Sequence, residues 1–150
     1  MNRWADELHG ILISLAGHMN RPDVDAAFLA KAGVKLESAL FPLLCRIDAL
    51  APIGVVDLAY EMGRDHSTIS RQVAKLEALG VVERLPAPND QRVRLVRPSE
   101  AGRAMLARFS KVRQELMDRH FADWTPEELD ELVRLLRKMR GSLRGRATGS

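Results

Sequence analysis

A chain of 150 residues can form one domain with a real core, and 46% apolar with 29% charged side chains is the makeup of a soluble globular protein, not a disordered one. One cysteine excludes an internal disulfide and fits a reducing cytoplasm; no apolar run is long enough to span a bilayer, and the short run from Gly10 to Gly17 follows Asp6 and Glu7, unlike a secretory leader. The formal charge of +3 is modest, so its placement matters more than its size.

Near the N-terminus, Leu8, Ile11, Leu12, Leu15 and Met19 recur at helical spacing and predict an amphipathic helix that ends before Pro22. Arg21 to Asp25 reads as a loop, and Ala26 to Lys31 as a further helical turn or the start of another helix. Leu40, Leu43, Leu44 and Ile47 mark the next helix. It must begin near Ser38, so that Pro42 falls in the first turn, where its missing N–H has no helical partner to lose. Ala51-Pro52 breaks it.

The stretch from Gly54 to Arg97 is the most informative. Val56, Leu58, Ala59 and Met62 make a short helix that Gly63 stops. Asp65 sits where an N-cap belongs, its carboxylate able to accept from the backbone N–H of Ser67 or Thr68. Ile69, Val73, Leu76 and Leu79 then form an apolar stripe, and Gly80 ends the run. The other face carries Ser67, Thr68, Ser70, Arg71, Gln72 and Lys75. Arg and Gln pair bidentately with guanine and adenine edges, and hydroxyls reach bases or phosphates, so this set suits a DNA major groove.

A hairpin follows, with Val81 to Leu85 as one strand and Arg92 to Val96 as the other. The period of two sends Val93 and Leu95 one way and Arg92 and Arg94 the other. Pro86-Ala87-Pro88-Asn89-Asp90-Gln91 connects the strands with turn formers. Asp90 is close enough to Arg92 to pair with it and stiffen the tip, while Arg94 has no acidic neighbour.

Ser99 caps a long helix with a seam of Met105, Phe109, Val112 and Leu116, interrupted near Ala122 to Trp124. Thr125-Pro126-Glu127-Glu128 is a helix start with a capping box, and Leu129, Leu132, Val133, Leu136, Met139 and Leu143 form its stripe. Past Gly141 the chain is basic and is expected to fray. The terminal stripes need a partner, either elsewhere in the chain or on a second copy.

From Arg64 to Arg97 there are seven basic residues (Arg64, Arg71, Lys75, Arg84, Arg92, Arg94, Arg97) and four acidic ones (Asp65, Glu77, Glu83, Asp90). The whole net charge therefore sits on this module, as a phosphate-binding surface requires.

The run from Val56 to Arg103 resembles the winged helix-turn-helix of the MarR family of bacterial transcription regulators. The matching residues are Asp57-Leu58-Ala59, Ser67-Thr68-Ile69-Ser70-Arg71, Leu76-Glu77-Ala78-Leu79-Gly80-Val81-Val82-Glu83-Arg84, the Asp-x-Arg of Asp90 and Arg92, and Gly102. The chain departs from the family in having Pro98-Ser99 where members commonly have Leu-Thr, and in Pro42.

The resemblance implies a mainly α (α+β) fold in a single domain, residues 1–150. The winged lobe would span 52–98, a long connecting helix 99–122, and dimerisation helices 1–35 and 120–145. It implies an intertwined homodimer on palindromic double-stranded DNA. Ser67, Thr68, Ser70, Arg71, Gln72, Lys75, Arg92 and Arg94 would contact DNA, with Asp90 and Arg92 bracing the wing. It also implies a cytoplasmic repressor relieved by a small aromatic or anionic effector, for which His18, Phe41 and Arg46 are candidate lining residues. The alternatives are a regulator that binds a protein partner and a sensor acting through Cys45.

Cys45 lies among Leu43, Leu44 and Ile47, which predicts a buried, inert thiol. His9, His18, His66 and His120 are too scattered for a zinc site, and His66 is expected to meet phosphate or solvent. With no nucleophile elbow, phosphate-cradling glycine loop or zincin motif, no enzyme, metal or cofactor is expected.

Overall fold

The computed structural model describes residues 3–145, which hold seven helices and a small three-stranded antiparallel sheet. They form two compact units, one through Val112 and one from Arg113. The first contains α1 (Arg3–Met19), α2 (Pro22–Ala32), α3 (Leu40–Leu50), β1 (Ile53–Gly54), α4 (Val55–Met62), α5 (His66–Ala78), β2 (Val82–Ala87) and β3 (Asp90–Pro98). α6 (Glu100–His120) begins there, and α7 (Pro126–Arg144) belongs to the second. The mainly α class expected from the sequence is the one observed.

The core of the first unit collects the apolar stripes of the short helices. Leu43, Leu44 and Ile47 of α3, Leu58 of α4, and Ile69, Val73 and Leu76 of α5 are fully buried, together with Val96 of β3. α3 begins at Leu40, so Pro42 does lie in its first turn. Phe109 of α6 joins Phe28 and Phe41 in an aromatic cluster, 5.9 Å from the first and 4.9 Å, edge-on, from the second. Such pairs each add about 0.5–1.5 kcal/mol beyond their area.

Three elements differ from expectation. Arg21 to Asp25 is not a loop: α2 starts at Pro22, where proline occupies the first helical position without losing a bond. Asp23 and Asp25 lie in its first turn, favourable for the helix dipole, and Arg21 meets Asp23 at 2.7 Å. A third strand, β1, pairs Ile53 with Val96 and Gly54 with Leu95; two residues are too few to show a period. α7 runs through Gly141 to Arg144 without breaking, and positions 146–150 of the tail expected to fray lie outside the described residues.

Two apolar positions also face outward. Leu79 was expected to close the α5 stripe; as C-cap it is still in αR conformation with its amide bonded to the Lys75 carbonyl, but it lies at the edge of the stripe and is 57% exposed. Val56 likewise lies on the outer side of α4. In the second unit, the Thr125 capping box is present in both directions: Thr125 Oγ1 accepts from the Glu128 amide at 3.1 Å, and Glu128 Oε1 accepts from the Thr125 amide at 3.0 Å. Neither α1 nor α7 has a buried residue.

Candidate nucleic-acid interface

α5 is held from below by its apolar stripe and from its N-terminus by Asp65. The Asp65 carboxylate accepts from the Thr68 amide at 3.0 Å, from the Ser67 hydroxyl at 2.6 Å and from the Thr68 hydroxyl at 2.8 Å. These bonds, the Ser67 hydroxyl foremost, hold the carboxyl well below the usual carboxylate range. Ile69, Val73 and Leu76 point into the core, so Ser67, Arg71, Ala74, Lys75 and Ala78 share the outward face and are exposed. Thr68, Ser70 and Gln72 flank that face and are half-buried. Arg71 Nη2 reaches back to Thr68 Oγ1 at 3.5 Å, and Lys75 Nζ lies 3.5 Å from Glu37 Oε2. An exposed pair as loose as the latter contributes at most about 1 kcal/mol and is easily exchanged for a phosphate.

The wing is more irregular than a simple hairpin. Pro86 pairs with Arg94, but Ala87 pairs with Asp90, so Gln91, Arg92 and Val93 have no opposite number on β2. The core face of β3 is that of Val96 and Pro98, which are buried, not that of Val93 and Leu95: Leu95 is half-buried and Val93 is 44% exposed. The turn itself shrinks to Pro88 and Asn89. At the tip, Asp90 Oδ1 accepts from the Arg92 amide at 3.0 Å, a main-chain contact where a carboxylate–guanidinium pair was expected.

Ion pairing sorts the basic residues of the module. Arg84 meets Glu77 at 3.3 Å and Arg97 meets Glu83 across the strands at 2.9 Å. Among the described residues, Arg64, Arg71, Arg92 and Arg94 make no ion pair, and all four are exposed. Arg64, in the turn between α4 and α5, is the one of these four that was not among the expected contacts. Ala74, also outside the expected set, puts a small apolar side chain on the outward face, of the kind that can meet a thymine methyl. His66 opens α5 and is exposed.

The three effector candidates lie in different surroundings. Phe41 stacks in the aromatic cluster, Arg46 reaches Glu61 at 3.3 Å, and His18 is exposed on α1. Cys45 is half-buried against the core, not fully buried. Among the described residues, no three His, Cys, Asp or Glu side chains come together as metal ligands, and no helix is long and apolar enough to cross a membrane.

Wing geometry separates two substitutions. Asp90→Ala should loosen the tip and weaken operator binding, although it removes a negative charge and simple electrostatics would have it help. Arg94→Ala should leave the fold intact and lower the slope of log affinity against log salt by about 0.9, one phosphate contact. Affinity measured across salt concentrations for both variants decides it; tighter binding by Asp90→Ala would reduce the wing to a charged loop.

The MarR family model matches residues 36–93, which takes in α3, the helix-turn-helix and the wing as far as its bulge. The uncharacterized HTH-type transcriptional regulator YxaD of Bacillus subtilis (strain 168) is 33% identical over 104 residues, spanning 69% of this chain and 73% of its own length. The multiple antibiotic resistance protein MarR of Escherichia coli (strain K12) is 33% identical over 105 residues, again 69% of this chain and 73% of its own length. A crystal structure of a cysteine-to-serine mutant of the E. coli MarR, complexed with operator DNA, matches at a TM-score of 0.61 and 29% identity, covering 87% of this chain and 91% of that one. The helix order, the basic wing and these relatives agree, and the chain belongs to the MarR family of DNA-binding transcriptional regulators.

Proposed function

We propose that the protein is a sequence-specific repressor that binds a palindromic operator as a homodimer and releases it when a small-molecule effector binds. The observation that carries this reading is the outward face of α5. Ser67, Arg71 and Lys75 stand exposed on one rigid helix, Arg71 is without an ion-pair partner among the described residues, and the bulged basic wing follows in the same unit. In this reading α5 enters the major groove, and Ser67, Thr68, Ser70, Arg71, Gln72 and Lys75 meet bases and phosphates. Arg92 and Arg94 reach the backbone or the adjacent minor groove.

The exposed apolar stripes of α1 and α7 support the homodimer, and with it the assignment of 1–35 and 120–145 to dimerisation. Two copies would place two α5 helices about one DNA turn apart, roughly 34 Å, on a symmetric site. For the effector, a cleft of about 460 Å³ is lined by Lys35, Leu36, Glu37, Leu40, Lys75, Ala78 and Leu79. That volume suits a small ligand. An anion there would compete with Glu37 and with DNA for Lys75, and so couple occupancy to DNA affinity.

The test begins by selecting bound sites from random duplex DNA. On the selected operator, Arg71→Ala should lose about 1–3 kcal/mol and relax preference at particular positions, if its contact is bidentate. Lys75→Ala should weaken all sequences alike, as a phosphate contact does. Unchanged operator binding after replacing Arg71 and Gln72 together would overturn this placement of α5.

A further inference from the structure

The hydroxyls at the start of α5 are not neutral donor–acceptors. A serine hydroxyl has one hydrogen and two lone pairs, and it ordinarily turns its hydrogen to suit its partner. Here the hydrogen of Ser67 is committed to the Asp65 carboxylate at 2.6 Å, a charge-assisted bond of the short, strong kind. Thr68 is committed to the same carboxylate at 2.8 Å, and its oxygen then receives Arg71 Nη2 at 3.5 Å. Asp65 thus sits behind the helix's first turn as an acceptor that has used both nearby hydroxyl hydrogens. Ser67 is the exposed one, on the same outward face as Arg71.

We propose that Asp65 is a positioning residue for DNA readout, holding Ser67 as a pure acceptor that selects a base with a major-groove amino group. This rests on the reading that α5 lies in the major groove. Every base pair shows an amino group on one side, A N6 or C N4, and a keto oxygen on the other, T O4 or G O6. An oxygen whose hydrogen is held from behind can accept from the amino group but has nothing to offer the keto oxygen. The carboxylate's negative charge behind it adds to the same preference. Ser67 therefore distinguishes A or C from G or T at the base it faces, complementing Arg71, whose donors match the keto and N7 acceptors of guanine.

Asp65→Gly separates positioning from capping. The Ser67 hydroxyl and the Thr68 amide bond the same carboxylate oxygen, Oδ2, so an asparagine that kept the cap would also keep the Ser67 acceptor. Glycine is a tolerated N-cap, so α5 keeps its first turn, and with no side chain it frees the serine hydrogen to face the groove. Selection from random duplex DNA is run with the parent, Ser67→Ala, Asp65→Gly and Arg71→Ala, with thermal unfolding as the check on folding. In each half-site of the parent, one position should favour A or C over G or T by about fivefold, the scale of one net hydrogen bond. Ser67→Ala should flatten that position alone. Asp65→Gly should unfold close to the parent and flatten the same position.

If Asp65→Gly folds and keeps the parent's preference where Ser67→Ala loses it, the positioning role is overturned. If Ser67→Ala changes no position while Arg71→Ala changes its own, the readout by Ser67 is overturned and α5 remains in the groove. If neither variant alters the selected sequence, the placement of α5 fails with it.

Discussion

Replacing Gly102 with alanine should destabilise the protein by about 3 kcal/mol, the cost of forcing an atom into occupied space. Gly102 lies near the start of α6 and is buried. A Cβ built there would run into the carbonyl of Val81, which is backbone and has no rotamer by which to move aside. The close approach is bonded on several sides. The Ser99 amide donates to the Val81 carbonyl at 3.0 Å, the Ser99 hydroxyl donates to the Gly80 carbonyl at 2.5 Å, and the Gly102 amide donates to Ser99 Oγ at 3.1 Å. The junction between α5 and β2 is thereby clamped to the first turn of α6. Helix propensity alone would favour alanine by about 1 kcal/mol, so the sign of the effect is diagnostic. Gly141 in α7 supplies the opposite case: nothing lies within 4 Å of a Cβ added there, and Gly141→Ala should stabilise by up to about 1 kcal/mol. Denaturant midpoints should move in opposite directions. An unchanged midpoint for Gly102→Ala would mean that α6 does not dock on Val81 as described.

What was legible in the sequence was what local chemistry decides. Asp65, the stripe of Ile69, Val73 and Leu76, and the stop at Gly80 are short-range signals, and α5 followed from them. The Thr125 capping box was readable for the same reason. The misreadings share another cause. Leu79 continues the apolar spacing arithmetically, but ten residues at roughly 100° each place it about 80° from Ile69, at the edge of the stripe. Pro22 belongs equally to turns and to first helical positions, and the choice depended on Arg21, Asp23 and Asp25 acting together. Val93 and Leu95 fit a period of two, but the face of β3 that is buried is that of Val96 and Pro98, and which face a strand buries is decided by what packs on it, not by one segment. The place of Phe41 in an aromatic cluster was not readable, because Phe28 and Phe109 are far away in the chain. At the interface, the residue types of the outward face were readable. The direction of the Ser67 hydroxyl and the main-chain role of Asp90 were not, because each depends on where one hydrogen points.

Charging the outward stripe of α7 should split the protein into monomers and cost most of its operator affinity. Leu136 is 46% exposed and Leu143 68% exposed, on the same stripe of a helix with no buried residue. α1 presents Trp4, Leu8, Ile11, Leu15 and Met19 in the same condition. Full burial of each such side chain contributes about 1.5–3 kcal/mol, so two copies covering these faces would gain far more than a stable dimer needs. Leu132 is a poorer choice for the test. With Met117, Phe121 and Leu129 it lines an apolar cleft of about 420 Å³ inside the second unit, and a charge there would confuse loss of fold with loss of partner. Leu136→Glu with Leu143→Glu avoids this. At micromolar concentration the parent should sediment at twice 16.8 kDa and the double variant at 16.8 kDa. Operator affinity should fall about a hundredfold or more, because the second half-site is no longer bound at the high effective concentration that the first copy provides. The variant should keep a cooperative melt, since the buried cluster from Leu29 to Phe109 includes no residue of α7. It should lose some helix signal, because α1 with 17 residues and α7 with 19 are only marginally stable in isolation. A parent that sediments as a monomer at concentrations where it binds its operator, or a double variant that remains a dimer, would show that these faces serve another partner.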